Sequence, residues 1–152
     1  MDLLERLHAL PEGEESLRET LRLAVEHLGA DSGTIHLLES PGLLRLRAAS
    51  EGIPEIVLRT VETVPVGKGM AGLAVDRIAP VTACNIQTDT SGDVRPGAKA
   101  TGLEGAIVVP ILRGAEAVGA LGVANRQERT FTAEETRVLT EIGRLIAARF
   151  MP

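Results

Sequence analysis

Apolar residues recur at helical spacing along the first thirty positions of the chain. The first stripe consists of Leu3, Leu4, Leu7 and Leu10, and the second of Leu17, Leu21, Ala24, Val25 and Leu28. The segment Pro11-Glu12-Gly13 interrupts the spacing between the two stripes, and Gly29 follows the second. The pattern predicts two amphipathic helices within residues 1–29.

Strand patterns begin after the second helix. Residues 34–38 run into the turn cluster Ser40-Pro41-Gly42, and residues 44–48 then alternate between apolar and polar positions. Two such runs around a Pro-Gly turn predict an antiparallel hairpin with one face exposed to solvent. Residues 54–63 return to helical spacing, and Pro54 suits the first turn of a helix.

The middle of the chain is rich in glycine and loop residues. Residues 65–75 predict a glycine-rich loop that opens a short helix, and residues 80–84 predict a short strand. From Asn85 to Gly102 the periodicity is lost, which predicts the longest loop of the chain. A loop of that length in a compact domain is typical of a lid or of a solvated surface segment.

Two apolar strands and a helix complete the pattern. Residues 106–112 and 117–125 are apolar at consecutive positions, as in central strands that are covered on both faces. Thr132 and Glu135 form a T-x-x-E capping box at the start of the last helix. The apolar face of this helix consists of Val138, Leu139, Ile142, Leu145, Ile146 and Phe150. The order of elements predicts an α+β fold around a largely antiparallel sheet of five or six strands.

Composition and charge narrow the functional classes. The chain has 152 residues with 44% hydrophobic and 24% charged residues, as in one globular domain with its own core. Sixteen basic against 21 acidic residues leave a net charge of −5, which argues against binding to nucleic acid or to an anionic membrane. Without Trp or Tyr the chain cannot build an aromatic stacking platform. No apolar run approaches the ~20 residues of a membrane helix, so we expect a cytoplasmic protein.

Four motifs follow one another in the second half of the chain. They are Gly67-Lys68-Gly69-Met70-Ala71-Gly72, Ile107-Val108-Val109-Pro110-Ile111, residues 118–125, and Phe131-Thr132-Ala133-Glu134-Glu135. In this order they resemble the glycine-rich entry to the pocket-lining helix, the two central strands and the "F-t-x-e-D" segment of GAF domains. From Leu21 to Phe150 the chain is similar to this family of small-molecule sensor domains, which is related to PAS.

The resemblance implies a domain plan and a pocket. Residues 1–152 form a single GAF domain, with terminal helices at 1–29 and 132–152 packed on one face of the sheet. Residues 30–131 supply the sheet, the pocket helices and a lid, and the pocket lies on the other face under the 85–102 loop. The candidate ligand-binding residues are Lys68, Gly69, Met70, Asn85, Asp89, Arg95, Lys99 and Thr101.

The glycines at positions 67, 69 and 72 have two interpretations. They permit a close approach of the backbone, or they place a helix N-terminus toward an anionic ligand group with Lys68 as a nearby cation. The spacing also matches a dinucleotide fingerprint, but no apolar strand precedes it. Asp89 and Asp93 together are a poor metal site, and we predict neither a metal nor a cofactor.

Cys84 is the single cysteine, and we interpret it as a buried structural thiol. Within the family, a reductase of free methionine sulfoxide uses a nucleophilic and a resolving cysteine. The corresponding stretches of this chain hold Ala71 and Ala98/Ala100, so no catalytic residue is predicted. Asn85 follows Cys84 where bilin-binding relatives usually have His. His36 alternates with Ile35 and Leu37 and is interpreted as pointing away from one core face toward the other rather than as a ligand.

One further signature belongs to cyclic-nucleotide GAF domains, N-K followed by F-x-x-x-D-E. This chain has Asn125-Arg126, Phe131 and Glu134-Glu135, so Arg replaces Lys and the acids fall one residue early. We interpret the remnant as a structural tie between the last strand and the last helix. Cyclic-nucleotide binding stays an alternative.

The expected function is that of a non-catalytic sensory module. It binds a small polar ligand and signals through terminal helices, whose stripes at Leu17/Leu21/Leu28 and Ile142/Leu145/Ile146 predict a homodimer. A signalling partner protein acting in trans is a further expectation. The alternatives are a degenerate relative of free methionine-(R)-sulfoxide reductase and a ligand-free dimerisation or interaction module. Small residues argue against a pocket filled by the protein itself; they are Ala71, Ala74, Ala106 and Ala120.

Overall fold

The computed structural model describes residues 2–152, which begin with the two predicted helices. These helices are α1 (Leu3–His8) and α2 (Glu14–His27). The carboxylate of Asp2 accepts a hydrogen bond from the backbone N–H of Glu5 and so caps α1. Gly29 has a φ of +62° directly after α2, where a left-handed residue ends the helix.

The next segment contains the predicted hairpin and a strand that the sequence does not predict. Strands β1 (Ser32–Ser40) and β2 (Leu43–Ala49) pair in antiparallel fashion. Helix α3 (Glu55–Thr60) is shorter than the predicted 54–63 segment, because the chain turns there into strand β3 (Thr63–Pro65). Val64 pairs with Leu44 of β2, and both side chains are buried. That buried pair holds a strand too short to show a periodicity of its own.

The remaining elements follow in the predicted order, with one addition. They are α4 (Gly69–Arg77), β4 (Val81–Ala83), α5 (Pro96–Lys99), β5 (Gly105–Arg113), β6 (Glu116–Asn125) and α6 (Ala133–Phe150). Helix α5 is a single turn inside the segment 85–102, which the sequence predicts as loop throughout. At α6 the capping box is confirmed, since Thr132 and Glu135 exchange hydrogen bonds between side chain and backbone.

The six strands form one antiparallel sheet in the order β3-β2-β1-β6-β5-β4. The predicted α+β class and the largely antiparallel sheet are therefore confirmed. Strands β1 and β6 lie at the centre, with Ile35 opposite Leu121. Along each strand, side chains alternate between the two faces of the sheet, so neighbouring residues serve different layers.

Helices α1, α2 and α6 cover one face of the sheet. The main core lies there, with Ile35, Leu121 and Val109 of the strands packed among buried helix residues. Five of the stripe residues predicted for a dimer are buried in this core: Leu17, Leu21, Leu28, Ile142 and Ile146. Because these side chains contact the chain's own sheet, they are not free to contact a second copy.

The opposite face carries α4 and two smaller clusters. Val75 of α4 packs with Leu44, Val64 and Ala120, and a second cluster surrounds Ala106. Within residues 2–152, none of the helices combines the length and the apolar character that crossing a membrane requires.

Candidate functional site

Two adjoining cavities lie on the face of the sheet opposite α1, α2 and α6. The larger encloses about 280 Å³ beside the first turn of α4, and the smaller encloses about 160 Å³ over strands β1, β5 and β6. Thr34, Val61 and Ala98 belong to the walls of both cavities, which places them side by side. Small-molecule pockets span roughly 300–1,000 Å³, and the two cavities together fall in that range.

Small side chains on the strands leave this space open. Thr34, Gly122 and Val108 are register partners across β1, β6 and β5, and all three line the smaller cavity. A Cβ atom on Gly122 would lie 3.1 Å from Cγ2 of Val108. Ala106 also lines the smaller cavity, as expected from its size, whereas Ala120 is buried among the chain's own side chains.

Two short helices form the roof. Val57 and Val61 come from α3 and its C-terminal end, and Gly97 and Ala98 come from α5. The helices touch closely at one point, since a Cβ on Gly97 would lie 3.3 Å from Cγ2 of Thr60. The segment 85–102 therefore covers the cavities through α5 and the residues next to it.

Arg95 is the one charged residue among the described walls of these two cavities. Its aliphatic stem crosses Gly69, where a Cβ would lie 2.7 Å from Cδ of Arg95. Gly69 has a φ of +65°, a conformation that favours glycine, so the first residue of α4 suits both the turn and the contact. Within residues 2–152 the Arg95 guanidinium has neither a hydrogen-bond nor an ion-pair partner.

Gly72 has a different role from Gly69. A Cβ on Gly72 would lie 2.3 Å from the carbonyl oxygen of Pro65, and the N–H of Gly67 donates to the carbonyl oxygen of Gly72 over 2.8 Å. At this position the glycine permits close packing of α4 on the preceding turn. Of the two interpretations of the glycine motif, backbone approach describes Gly72.

Four of the eight predicted ligand-binding residues line the cavities. Gly69, Met70 and Arg95 belong to the larger, and Thr101 belongs to the smaller. The Thr101 hydroxyl donates to the carbonyl oxygen of Ala98 over 2.7 Å and so holds the end of α5. The structure thus brings the start of α4 and the end of the 85–102 segment together.

The other four lie outside the described walls. Lys68 is exposed at the residue before α4, and Lys99 is exposed on α5. Asn85 donates to the carboxylates of Glu104 and Glu128, and Asp89 accepts from the backbone N–H and the hydroxyl of Ser91. Asn85 therefore ties the start of the 85–102 segment to residues outside it, and Asp89 holds a turn within the segment.

A third, more polar cavity of about 70 Å³ adjoins the smaller one. The two share Ser32, Ile53, Thr101 and Leu103, and the third adds the charged residues Asp31, Glu51 and Arg126. Oδ2 of Asp31 accepts a hydrogen bond from the backbone N–H of Arg126 over 2.7 Å. The cleft therefore runs from a cation at Arg95 to a polar end that holds two carboxylates.

The sequence profile of the GAF domain matches residues 14–150. The chain belongs to the GAF domain family. The GAF domain of a phosphoenolpyruvate-protein phosphotransferase from Coxiella burnetii has a TM-score of 0.81 at 21% identity, over 98% of this chain and 88% of that one. No curated protein matches the sequence.

Two further neighbours of this GAF domain are enzymes. Free methionine-R-sulfoxide reductase from Neisseria meningitidis, solved with its substrate, has a TM-score of 0.77 at 17% identity, over 98% of this chain and 84% of that one. The type II enzyme from Thermoplasma acidophilum has a TM-score of 0.70 at 21% identity, over 97% and 94%. At these identities the likeness shows the fold alone.

The interpretation of Cys84 as a buried thiol is wrong, because the residue is exposed in this GAF domain. Val81 and Ala83 are buried while Thr82 and Cys84 are exposed, so the alternation of β4 continues past its last residue. Free cysteines are often buried, but Cys84 is exposed because of its position in the alternation along β4. Cys84 does not belong to the described walls of either of the two adjoining cavities.

His36 is a buried residue that supports the roof of the larger cavity. It alternates with Ile35 and Leu37, is 3% exposed, and donates through Nε2 to the carbonyl oxygen of Val61 over 2.8 Å. Its Nδ1 is buried without a hydrogen-bond partner among residues 2–152. Burial lowers the pKa of His36 below its ordinary value of 6.5, against the opposing effect of the Val61 carbonyl.

A structural tie between the last strand and the last helix is present, but its central residue is one that the sequence did not single out. Arg129 donates to Oδ1 of Asn125 over 2.8 Å and to the carbonyl oxygen of Leu28 over 2.6 Å. Its guanidinium also lies 4.3 Å from the ring centroid of Phe131. Its partners Asn125, Phe131 and Glu135 were singled out in the sequence, but Arg129 itself was not.

Acidic residues of the 85–102 segment do not assemble a metal site. The described part of the chain contains no group of three or more His, Cys, Asp or Glu side chains arranged to bind a metal ion. Asp93 instead pairs with Arg77, with 3.0 Å between Oδ2 and Nη1. The hydrogen bond from Arg77 lowers the pKa of the Asp93 carboxyl.

Proposed function

We propose that this GAF domain is a non-catalytic sensory module whose two adjoining cavities bind one small molecule. The proposal rests chiefly on the guanidinium of Arg95, which has no partner among residues 2–152 and lies at the wall of two otherwise uncharged cavities. Packed interiors rarely leave space larger than a water molecule, so open cavities of this size favour a ligand. The small residues on the strands keep that space free.

Alternation along the strands provides a route from the cavity to the terminal helices. Thr34 and Gly122 face the cavity, while their chain neighbours Ile35 and Leu121 pack in the core beneath α2 and α6. A ligand that shifts the backbone at Thr34 or Gly122 therefore shifts side chains in the helical layer. Close-packed interiors transmit such displacements.

The homodimer and a signalling partner in trans remain part of the proposal. The apolar stripes of α2 and α6 are buried, so a dimer would use the outer faces of these helices. Those faces carry charged pairs, with Arg22 between Glu19 and Glu26 on α2 and Arg137 between Glu134 and Glu141 on α6. A dimer through such faces weakens as the salt concentration rises.

Native mass spectrometry of gently purified protein tests binding and assembly together. We expect extra mass on each subunit and a dimer, with altered hydrogen exchange in α2 and α6 once the retained molecule is removed. Ala98→Leu fills space between the cavities and should lose the extra mass. The matched control is Ala148→Leu on the exposed side of α6, which should keep it.

Bare protein whose α2 and α6 exchange identically before and after a denature-and-refold step would contradict the sensory proposal. That result would favour the ligand-free interaction module. A monomer with bound ligand would remove only the homodimer.

A reductase is the second candidate, favoured by the exposed thiol of Cys84 and by the two reductases among the structural neighbours. In that chemistry the thiolate attacks the sulfoxide sulfur, methionine is released, and the oxygen stays on cysteine as sulfenic acid. A second thiol then displaces water to form a disulfide. Since Cys84 is the single cysteine, that thiol must come from a separate dithiol reductant.

Turnover of free methionine sulfoxide with a thioredoxin-type reductant tests this candidate. Activity that Cys84→Ser abolishes would support it. Absence of turnover, or turnover that survives Cys84→Ser, would remove it.

A further inference from the structure

We propose that the ligand is a monocarboxylate with an elongated apolar body, whose carboxylate pairs with Arg95. This inference rests on the proposed function and names the class of molecule that the cleft selects. Three features of the cleft support it in turn: the cation at one end, the uncharged middle, and the carboxylates at the other end.

Arg95 supplies the head-group contact. A guanidinium offers two parallel N–H donors that match the two oxygens of a carboxylate. The contact of its stem with Gly69 holds the side chain against the first turn of α4, beside the larger cavity. Arg95 is exposed at the edge of the larger cavity, and none of the described residues neutralises it, so an anionic ligand group can pair with it in place of water.

The middle of the cleft suits an apolar body. The described walls of the smaller cavity contain no titratable side chain, and most of them are aliphatic or glycine. Val57, Val61 and Leu103 lie above, and Val108 and Gly122 lie below. A strongly hydrated ligand would lose its water there without receiving matching hydrogen bonds.

The far end discriminates against a second carboxylate. Asp31 lies three residues from Thr34, about 10 Å along an extended chain at about 3.3 Å per residue. Asp31 and Glu51 there outnumber the single cation Arg126. A dicarboxylate long enough to span the cleft would place its second charge beside these acids, whereas a monocarboxylate would end in apolar surroundings.

Calorimetric titration of the full chain with four eight-carbon probes tests the proposal. The probes are octanoate, 1-octanol, octylamine and the dicarboxylate suberate, all at one ionic strength. We expect octanoate to bind at least about tenfold more tightly than the other three, the range that a charge-assisted hydrogen bond supplies.

Variants test which residues produce the preference for octanoate. Arg95→Gln should remove the advantage of octanoate over 1-octanol, and Arg95→Lys should retain part of it. The matched control is Arg6→Gln on α1, where the arginine is exposed on the other side of the sheet. Glu51→Gln should raise the affinity for suberate toward that for octanoate.

The proposal is overturned if octanoate binds no more tightly than 1-octanol, or if Arg95→Gln keeps the preference. Native mass spectrometry separates this failure from that of the proposed function. A retained molecule that Ala98→Leu removes leaves the sensory function standing with a different ligand class. If no molecule is retained and no probe binds, both proposals fail.

Discussion

The guanidinium of Arg129 and the carboxylate of Glu135 form an ion pair across the turn between β6 and α6, with Nη2 2.5 Å from Oε2. The same Nη2 donates to the carbonyl oxygen of Leu28 at the end of α2. One side chain therefore joins the end of an N-terminal helix to the start of the C-terminal helix. The backbone N–H of Arg129 also donates to the carbonyl oxygen of Cys84, which connects this tie to the start of the 85–102 segment.

Arg129→Met should lower the free energy of unfolding by about 2 kcal/mol, because it removes several charge-assisted hydrogen bonds from a half-buried site. Chemical denaturation measures the change. The control is Arg137→Met on α6, whose ion pairs are exposed and contribute little. Equal losses from both variants would show that the part-buried hydrogen bonds of Arg129 contribute no more than exposed ion pairs.

Glu135 makes the free energy of unfolding depend on pH in the acidic range. The backbone N–H of Thr132 lowers the pKa of the Glu135 carboxyl below its ordinary value of 4.5, and Arg129 adds to the effect. A lowered pKa in the folded state means that this stabilisation is complete above pH 4.5 and is lost as the pH falls through the lowered value. The stability difference between wild type and Glu135→Gln should therefore shrink on acidification. A stability difference that grows on acidification would contradict this prediction.

His36 produces the second pH effect. Since burial lowers its pKa, the unfolded chain binds a proton below pH 6.5 that the folded chain does not. Stability should decline as the pH falls from 6.5 toward the lowered pKa. His36→Gln should remove this part of the slope in denaturation measured from pH 7.5 to 5. An unchanged slope in the variant would assign the effect to other groups.

Two helical glycines should respond oppositely to alanine. Gly72→Ala places a Cβ against the backbone of Pro65 and should destabilise the protein by about 2 kcal/mol. Gly143→Ala on α6 meets its nearest atom at 3.4 Å, an ordinary contact, and should gain up to about 1 kcal/mol from helix propensity. Thermal unfolding of the two variants distinguishes them. A stable Gly72→Ala protein would contradict the close approach.

Cys84 should react with a thiol reagent such as 5,5′-dithiobis(2-nitrobenzoate) in the folded protein, because the residue is exposed. We expect the folded protein to release one equivalent of the coloured thionitrobenzoate anion without denaturant. Reaction that begins only above the unfolding transition would restore the interpretation of a buried thiol. Cys84→Ser serves as the blank, and its stability should match that of wild type.

Local patterns predicted most of the elements. The hairpin at β1 and β2 and the capping box of α6 depend on periodicity and on residues three apart, which a sequence displays directly. The pattern failed at β3 and α5, whose three and four residues are too few to show a period. β3 exists because Val64 has a buried partner in Leu44, twenty positions earlier in the sequence.

Four of the eight residues predicted to bind a ligand line the cavities, and the other four do not. Arg95, Gly69, Met70 and Thr101 lie in the cavity walls, whereas Asn85 bonds to Glu128 and Asp89 bonds to Ser91. A polar side chain in a loop is expected to form a hydrogen bond. Its polarity does not indicate whether the partner is a ligand or a neighbouring residue.

The sequence by itself determined the family, the order of the main helices and strands and the glycine-rich entry to α4, because each depends on residues near one another along the chain. The tertiary structure decided the exposure of Cys84, the burial of the helix stripes and the contact between Arg95 and Gly69. Those outcomes depend on which strands become neighbours in the sheet and how deeply each helix packs on it. The packing energy that selects them is shared among side chains far apart in the chain.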